Sequence, residues 1–181
     1  MTRTLTTPRL LLRPPRPADA PRVQFLCGNW NVARMLERVP HPYPDDCAAD
    51  WIAAQSAAWR DESAYTFTIE FEGAVVGVIG IERNASGAYG LGYWLGEPWW
   101  GQGLMSEAVA CVLGFARHEL GLETLESAYF ADNPASGRIQ EKHGFRVTGR
   151  DRSPCLARGG DVDGVTTVLH LGAVNETRTA P

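Results

Sequence analysis

Gly101-Gln102-Gly103-Leu104-Met105-Ser106-Glu107-Ala108 is the stretch whose residue types and spacing carry chemistry most plainly. It follows a strand-like run, Leu91–Leu95, and the pair Trp99-Trp100, and it opens an apolar-periodic run from Met105 to Leu120. A strand, a short glycine-bearing loop and a helix start make an anion site. The first N–H groups of a helix have no partners in their own chain, and the helix dipole is positive at that end. Glycines let the backbone approach a phosphate without side-chain obstruction. The chemistry expected here is the holding of a phosphate or diphosphate. A plain tight turn is the alternative reading of two glycines taken alone.

Two phosphate motifs do not fit. The nucleotide P-loop needs a lysine after its second glycine, where this chain has Leu104. The dinucleotide fingerprint needs a third glycine three residues on, and Ser106 stands there.

The elements that must position this loop follow from hydrophobic period and breakers. Arg9–Arg13 is predicted as a first strand, stopped by Pro14-Pro15. Asp19 is placed to cap a helix ending at Cys27-Gly28, and a short helix is predicted over Val32–Arg38. Asp45 or Asp46 is placed to cap a helix running to Glu62, with Trp51 and Trp59 on its apolar face. Those two indoles read as core, with the lining of an acceptor site as the alternative. Strands are predicted over Ala64–Glu70, Val75–Ile81 and Tyr89–Leu95, separated by short turns. After the Met105–Leu120 helix come a strand at Thr124–Tyr129, a helix begun by Asn133 or Ser136 and ending before Gly144, and a strand at Phe145–Gly149. Arg150–Gly164 reads as a polar excursion, Val165–Leu171 as the last strand, and 172–181 as a disordered tail. Consecutive strands imply antiparallel pairing, and helical crossovers imply local parallel pairing. The expectation is one α/β domain over 1–181, ordered from about 7 to 171, with a mixed, mostly antiparallel sheet of about seven strands and helices on both faces.

Four blocks resemble the GNAT superfamily of acyl-coenzyme A-dependent N-acyltransferases, and within it the branch of bacterial ribosomal-protein N-terminal alanine acetyltransferases. They are Thr7–Pro14, Leu91–Leu95, Gly101–Ala108, and Asn133-Pro134-Ala135-Ser136 with Glu141-Lys142-His143-Gly144-Phe145. Their order spans Thr7 to Leu171. The resemblance implies a fold in which two parallel strands splay apart to admit the pantetheine arm of acetyl-coenzyme A. It implies that backbone atoms of Trp94 and Leu95 face that arm and the acyl carbonyl. Backbone groups of Gly101, Gln102, Gly103, Leu104, Met105 and Ser106 would hold the diphosphate, and Asn133 would contact the pantetheine. Where many relatives offer a charged side chain to the diphosphate, this chain has Trp100.

Acyl transfer to an amine requires a neutral amine, a donor for the developing oxyanion, and a proton for the departing thiolate. The resemblance implies direct transfer, with the Leu95 N–H as the oxyanion donor. A tyrosine common in the family falls at Gln140, which has no proton to titrate. The branch instead implicates Ser136 as the proton donor; a helix N-cap is that serine's structural reading. The glutamate that related enzymes carry two residues before the Gly-Tyr-Trp of the strand is here Gly90. Glu82, at the end of the preceding strand, is the candidate to reach the same space, alone or through water. Glu97 and Glu107 lie near the same site, and Glu107 suits the helix dipole.

Composition narrows the class. The 181 residues carry 17 Lys+Arg against 21 Asp+Glu, a net charge of −4, which disfavours a nucleic-acid partner. No apolar run is long enough for a membrane span. The first five residues have no signal-peptide core, so a cytoplasmic protein is expected. Four dispersed cysteines and four histidines show no metal-binding spacing. The partner expected is an amine-bearing acceptor, foremost a protein or peptide N-terminal α-amine, in a protein that relatives suggest is a homodimer. A small-molecule amine acetyltransferase and a non-catalytic acyl-coenzyme A-binding module are the alternatives.

Overall fold

The computed structural model describes residues 3–172, so the tail expectation, Gly172 apart, lies outside the described residues. The elements are β1 (Leu5–Thr6), β2 (Leu10–Arg13), α1 (Ala20–Cys27), α2 (Trp30–Ala33), α3 (Cys47–Arg60), β3 (Ala64–Phe71), β4 (Ala74–Arg83), β5 (Tyr89–Leu95), α4 (Leu104–His118), β6 (Thr124–Phe130), α5 (Pro134–Lys142), β7 (Arg146–Cys155) and β8 (Gly160–His170). One eight-stranded sheet has the order β1-β2-β3-β4-β5-β6-β8-β7. Every neighbouring pair is antiparallel except β5 and β6. The mixed sheet is as expected, with the two-residue β1 as the additional strand. No helix among the described residues is long and apolar enough to cross a membrane.

Helix α4 owes its position to period. Leu104, Met105, Ala108, Val109, Val112, Phe115 and Ala116 are buried, at the three- and four-residue spacing of one helical face. They pack on Leu10, Leu12, Phe67, Ile69, Ile79 and Ile81 of the sheet, with Trp59 joining from α3. A smaller cluster on Val23, Cys27, Ala48 and Ile52 holds α1 against α3, with Trp51 and Trp94 packed on it. Both α3 indoles therefore lie against apolar clusters.

Arg150–Gly164 is corrected. It is not an excursion but most of a long hairpin, in which β7 and β8 pair from Arg146↔Val168 to Cys155↔Gly160. Most β7 residues are exposed, because it is the sheet edge; an edge strand also tolerates Pro154. A register shift between Val147 and Gly149 further erases the period-two signal. The hairpin tip is anchored: Leu156 N–H donates to Glu37 O (3.1 Å), and the Arg158 Nε donates to Arg34 O (2.7 Å). The Arg158 fork then grips Asp132 at 2.9 and 3.1 Å, just ahead of α5.

Two helix ends also differ from expectation. The short helix starts at Trp30, where Asn29 Oδ1 accepts from Asn31 N–H, and ends at Ala33 rather than Arg38. Asp19 stands at the start of α1, but its side chain caps the short turn Pro17–Asp19 ahead of that helix rather than the helix itself. Its carboxylate accepts from both Arg13 Nη atoms (2.7 and 2.8 Å) and from the Arg16 N–H (2.7 Å). The same guanidinium donates to Glu70 Oε1, locking β2, β3 and the α1 entry together. Arg13 and Asp19 are only 4% and 6% exposed. Burial pushes the Asp19 carboxyl up, but the Arg13 and Arg16 hydrogen bonds outweigh it and hold the group below its ordinary value.

A buried charge stripped of its partner is strongly destabilising. Arg13→Ala should lower unfolding free energy by about 3–5 kcal/mol in a urea melt. A depressed folded pKa gives stability that is complete above the ordinary aspartate value and lost as pH falls through the folded one. Without Arg13 the burial of Asp19 is no longer outweighed, and its carboxyl moves up in the variant. The gap between wild type and variant should therefore be full at neutral pH and narrow as pH falls through that raised value. A gap that stays constant through the whole acid range would contradict this assignment.

Candidate active site

The parallel ladder between β5 and β6 lasts two residues, Gly90↔Glu126 and Leu91↔Ser127. Beyond it the strands part, while β5 continues along β4 as far as Gly77↔Leu95. The parting point is pinned by a buried polar chain. Thr167 Oγ1 donates to Gln140 Oε1 (2.7 Å), Gln140 Nε2 to Ser127 Oγ (2.9 Å), and Ser127 Oγ to Leu91 O (2.9 Å). Gln140 is 2% exposed. The residue that replaces the family's tyrosine is thus a structural pin rather than a lost acid facing solvent.

Strand geometry decides which backbone groups of β5 face the gap. Gly96 N–H donates to Val76 O. Trp94 O lies so close over Gly77 that a Cβ there would sit 2.4 Å from it. Backbone groups alternate sides along a strand, so those of Trp94 face β4, whereas those of Tyr93 and Leu95 face the gap. The Trp94 side chain packs on the α1–α3 cluster. Leu95 O has a substitute for its missing strand partner: the Trp100 indole Nε1 donates to it at 2.6 Å. Sequence reasoning saw in Trp100 only a missing charge. The indole instead satisfies one carbonyl and leaves the Leu95 N–H on the open side.

The loop that follows β5 turns into α4 through two left-handed glycines, Gly101 (φ 75°) and Gly103 (φ 77°). A side chain other than Asn or Asp would be strained at either. Gly103 is the N-cap, and its φ supplies the turn without a capping side chain. Gln102 Nε2 donates to Pro98 O (3.0 Å), which pins the loop from behind. Leu104 and Met105 are buried at the start of α4, and their backbone N–H groups lie in its unpaired first turn. Ser106 Oγ and His143 Nε2 meet at 2.9 Å, joining the start of α4 to the end of α5. Burial and the neighbouring Lys142 charge pull the His143 pKa down, so the imidazole is neutral at neutral pH.

Across the gap stands the start of α5. Asn133 is its N-cap, with Oδ1 accepting from Ser136 N–H (3.2 Å). That settles the choice left open by the sequence and frees the Ser136 hydroxyl. Ser136 Oγ meets the Tyr93 hydroxyl at 2.9 Å. Tyr93 was read only as a strand residue. Its alternation with the buried Leu91 and Leu95 put it on the helix-covered face, but no sequence signal named its partner. Burial raises the Tyr93 pKa, so the phenol stays protonated and can donate.

Glu82, the last but one residue of β4, is in register with Gly90 and faces a fork from Arg38, which donates to both carboxylate oxygens. That ion pair holds the Glu82 carboxyl below its ordinary value despite the opposing effect of burial. Glu97 is likewise occupied, accepting from the side-chain amides of Asn29 (2.7 Å) and Asn31 (2.9 Å). Glu107 binds Arg9 and Thr7. The structure thus gathers Leu95, Ser136, Asn133 and the Gly101–Ser106 turn about one gap, while Glu82 stands one strand away on β4, level with the paired end and held by Arg38. Such a gap offers an extended ligand an open strand edge, with an anion site at one end and a hydroxyl pair on the far wall.

Residues 9–146 match the family model described as an acetyltransferase (GNAT) domain. The [ribosomal protein uS5]-alanine N-acetyltransferase of Escherichia coli (strain K12) is 27% identical over 174 residues, covering 91% of this chain and 89% of that protein. The probable N-acetyltransferase YjcK of Bacillus subtilis (strain 168) is 38% identical over 84 residues, 46% of each chain. Among solved structures, the ribosomal L7/L12 alpha-N-protein acetyltransferase RimL in complex with coenzyme A superposes with a TM-score of 0.82 at 17% identity, covering 93% of this chain and 98% of that one. The microcin C7 self immunity acetyltransferase MccE in complex with acetyl-CoA and AMP gives 0.78 at 16% identity over 91% and 93%. The family match over most of the chain makes this protein a member of the GNAT acetyltransferases, an acetyl-coenzyme A-dependent N-acetyltransferase.

Proposed function

We propose that the acceptor is the α-amine of a protein or peptide N-terminus, and that transfer is direct from acetyl-coenzyme A lying along the open edge of β5. The observation that carries the reading is the juxtaposition of that edge with the Ser136–Tyr93 hydroxyl pair at 2.9 Å. The thioester carbonyl accepts from the Leu95 N–H, which stabilises the oxyanion that forms as the amine attacks. Ser136 supplies the proton to the departing thiolate and regains one from solvent as the amine proton is passed on to water, while Tyr93 holds the serine hydroxyl in place. The Asn133 Nδ2 has no hydrogen-bond partner among the described residues and is assigned to the pantetheine arm. The diphosphate lies at Gly101–Ser106.

The acceptor class follows from the base. Gly90 offers no carboxylate, and Glu82 is held ionised but weakly basic by Arg38. An α-amine, with an ordinary pKa of about 7.7–8.0, is substantially neutral near pH 7.5, whereas a lysine-like amine near 10.4 is almost wholly protonated. A site with a weak base serves the first far better than the second. We assign Glu82 the onward relay of the amine proton through water. The uS5-alanine relative supports the same acceptor.

Thiol release from acetyl-coenzyme A tests this directly. Short peptides beginning with Ala or Ser should turn over, and spermidine and free amino acids should not; the reverse pattern would replace this acceptor with a small amine. For the active peptides, kcat/KM should rise with pH along the titration of the peptide's own α-amine, so an N-terminus of lower pKa should shift the acid limb down. An acid limb that ignores the peptide would place the controlling base on the enzyme. Ser136→Ala should lower kcat on the order of 10²-fold with little change in peptide KM, the scale of positioned acid–base catalysis; full activity would remove the serine from the mechanism. Gly103→Asp should weaken coenzyme A binding by at least about tenfold more than Gly103→Asn, since both side chains tolerate left-handed φ and only one is charged. Equal binding by the two variants would move the diphosphate elsewhere.

A further inference from the structure

The strand-opening block Thr7-Pro8-Arg9 reaches across the chain to the diphosphate turn. Arg9 Nη1 donates to Gln102 O at 3.1 Å, and its Nε donates to Glu107 Oε2 at 2.7 Å. The Arg9 N–H and the Thr7 hydroxyl donate to Glu107 Oε1 at 3.0 and 2.6 Å. Arg9 Nη2 lies against Gly103, 3.6 Å from where a Cβ would be. None of these contacts belongs to the acyl-transfer machinery described above.

Two consequences follow from elementary geometry and charge. In a trans peptide the C=O and the next N–H point in opposite directions. Drawing Gln102 O toward Arg9 therefore turns the Gly103 N–H away from Arg9. Glycine at 103 has little steric preference of its own, so the peptide plane needs an external hold. Glu107, in the first turn of α4, places a negative charge beside the very N–H groups assigned to an anion. That carboxylate favours the helix dipole but opposes a diphosphate. Arg9 cancels it where it stands.

We propose that Arg9 is a positioning residue for the donor: it aims the Gly103 N–H at the diphosphate of acetyl-coenzyme A and neutralises Glu107. The claim rests on the diphosphate being held at Gly101–Ser106. It separates diphosphate recognition, which Arg9 governs, from pantetheine recognition along β5, which it does not touch.

The test compares acetyl-coenzyme A with S-acetylpantetheine, which carries the same thioester and arm but no phosphate. In Arg9→Gln the ratio of kcat/KM for acetyl-coenzyme A over S-acetylpantetheine should fall about tenfold, equivalent to 1.4 kcal/mol of diphosphate-specific binding. Adding Glu107→Gln to that variant should recover part of the ratio by removing the uncompensated carboxylate. Arg9→Lys, which keeps the charge but cannot fork to both oxygens, should fall between. Equal losses on both thioesters, or an unchanged ratio, would overturn the proposal and leave Arg9 as a tie within the fold. If the wild-type enzyme itself shows no preference for acetyl-coenzyme A over S-acetylpantetheine, the diphosphate site fails, and Arg9 fails with it.

Discussion

The parallel ladder between β5 and β6 stops after two residue pairs, and the rest of the site depends on that stop. Backbone N–H and C=O groups buried without partners are costly, so a strand edge opened inside a domain must be satisfied by something. Here one carbonyl is met by the Trp100 indole, and the remaining groups of Tyr93 and Leu95 face the gap, where the proposed donor would pair with them as an added strand. The stop is enforced rather than accidental. Gln140, Ser127 and Thr167 form a satisfied polar chain ending on Leu91 O, at the last paired residue. A satisfied buried network favours one arrangement, because any slip leaves a polar group unpaired.

Around that opening the protein arranges charge with economy. The α4 N-terminus supplies donors and a positive dipole end. The carboxylates flanking the site are already engaged: Glu107 with Arg9 and Thr7 at the start of α4, Glu97 with two asparagines, and Glu82, at the far paired end of β5, with Arg38. The two groups that could have acted as acids at neutral pH in an exposed setting, His143 and Tyr93, are shifted in opposite directions by burial, and both end up uncharged. The gap is thereby lined by hydrogen-bond donors and neutral hydroxyls, which suits a polyanionic donor and an amine that arrives without its proton.

Much of this was readable from residue patterns, and the parts that were not have physical reasons. The glycine-bearing turn, the apolar face of α4 and the three-strand meander carry strong local signals, and the structure bears them out to within one or two residues. The roots of the β7–β8 hairpin are legible, but its outer part over 150–164 is not, because a largely exposed edge strand with a proline and a register shift has no period of two to detect. Asp19 sits where a cap belongs, but a buried arginine six residues earlier competes for its carboxylate, and only tertiary structure reveals that competitor. The pairing of Tyr93 with Ser136 joins residues 43 positions apart, and that of Arg9 with Glu107 joins residues 98 apart. The family resemblance nominated Ser136, and a place in the first turn of α4 nominated Glu107. Which neighbours tune them is a property of the fold.

The central claim is that the open edge of β5 receives the donor as an added strand. Amide hydrogen exchange, read residue by residue with and without coenzyme A, addresses it most directly. The account predicts that the amides of Tyr93 and Leu95 exchange readily in the free protein and become protected with coenzyme A, together with those from Gln102 to Ser106, while Gly92 and Trp94, already bonded to β4, change little. Saturating coenzyme A that leaves Tyr93 and Leu95 exchanging as before would contradict it.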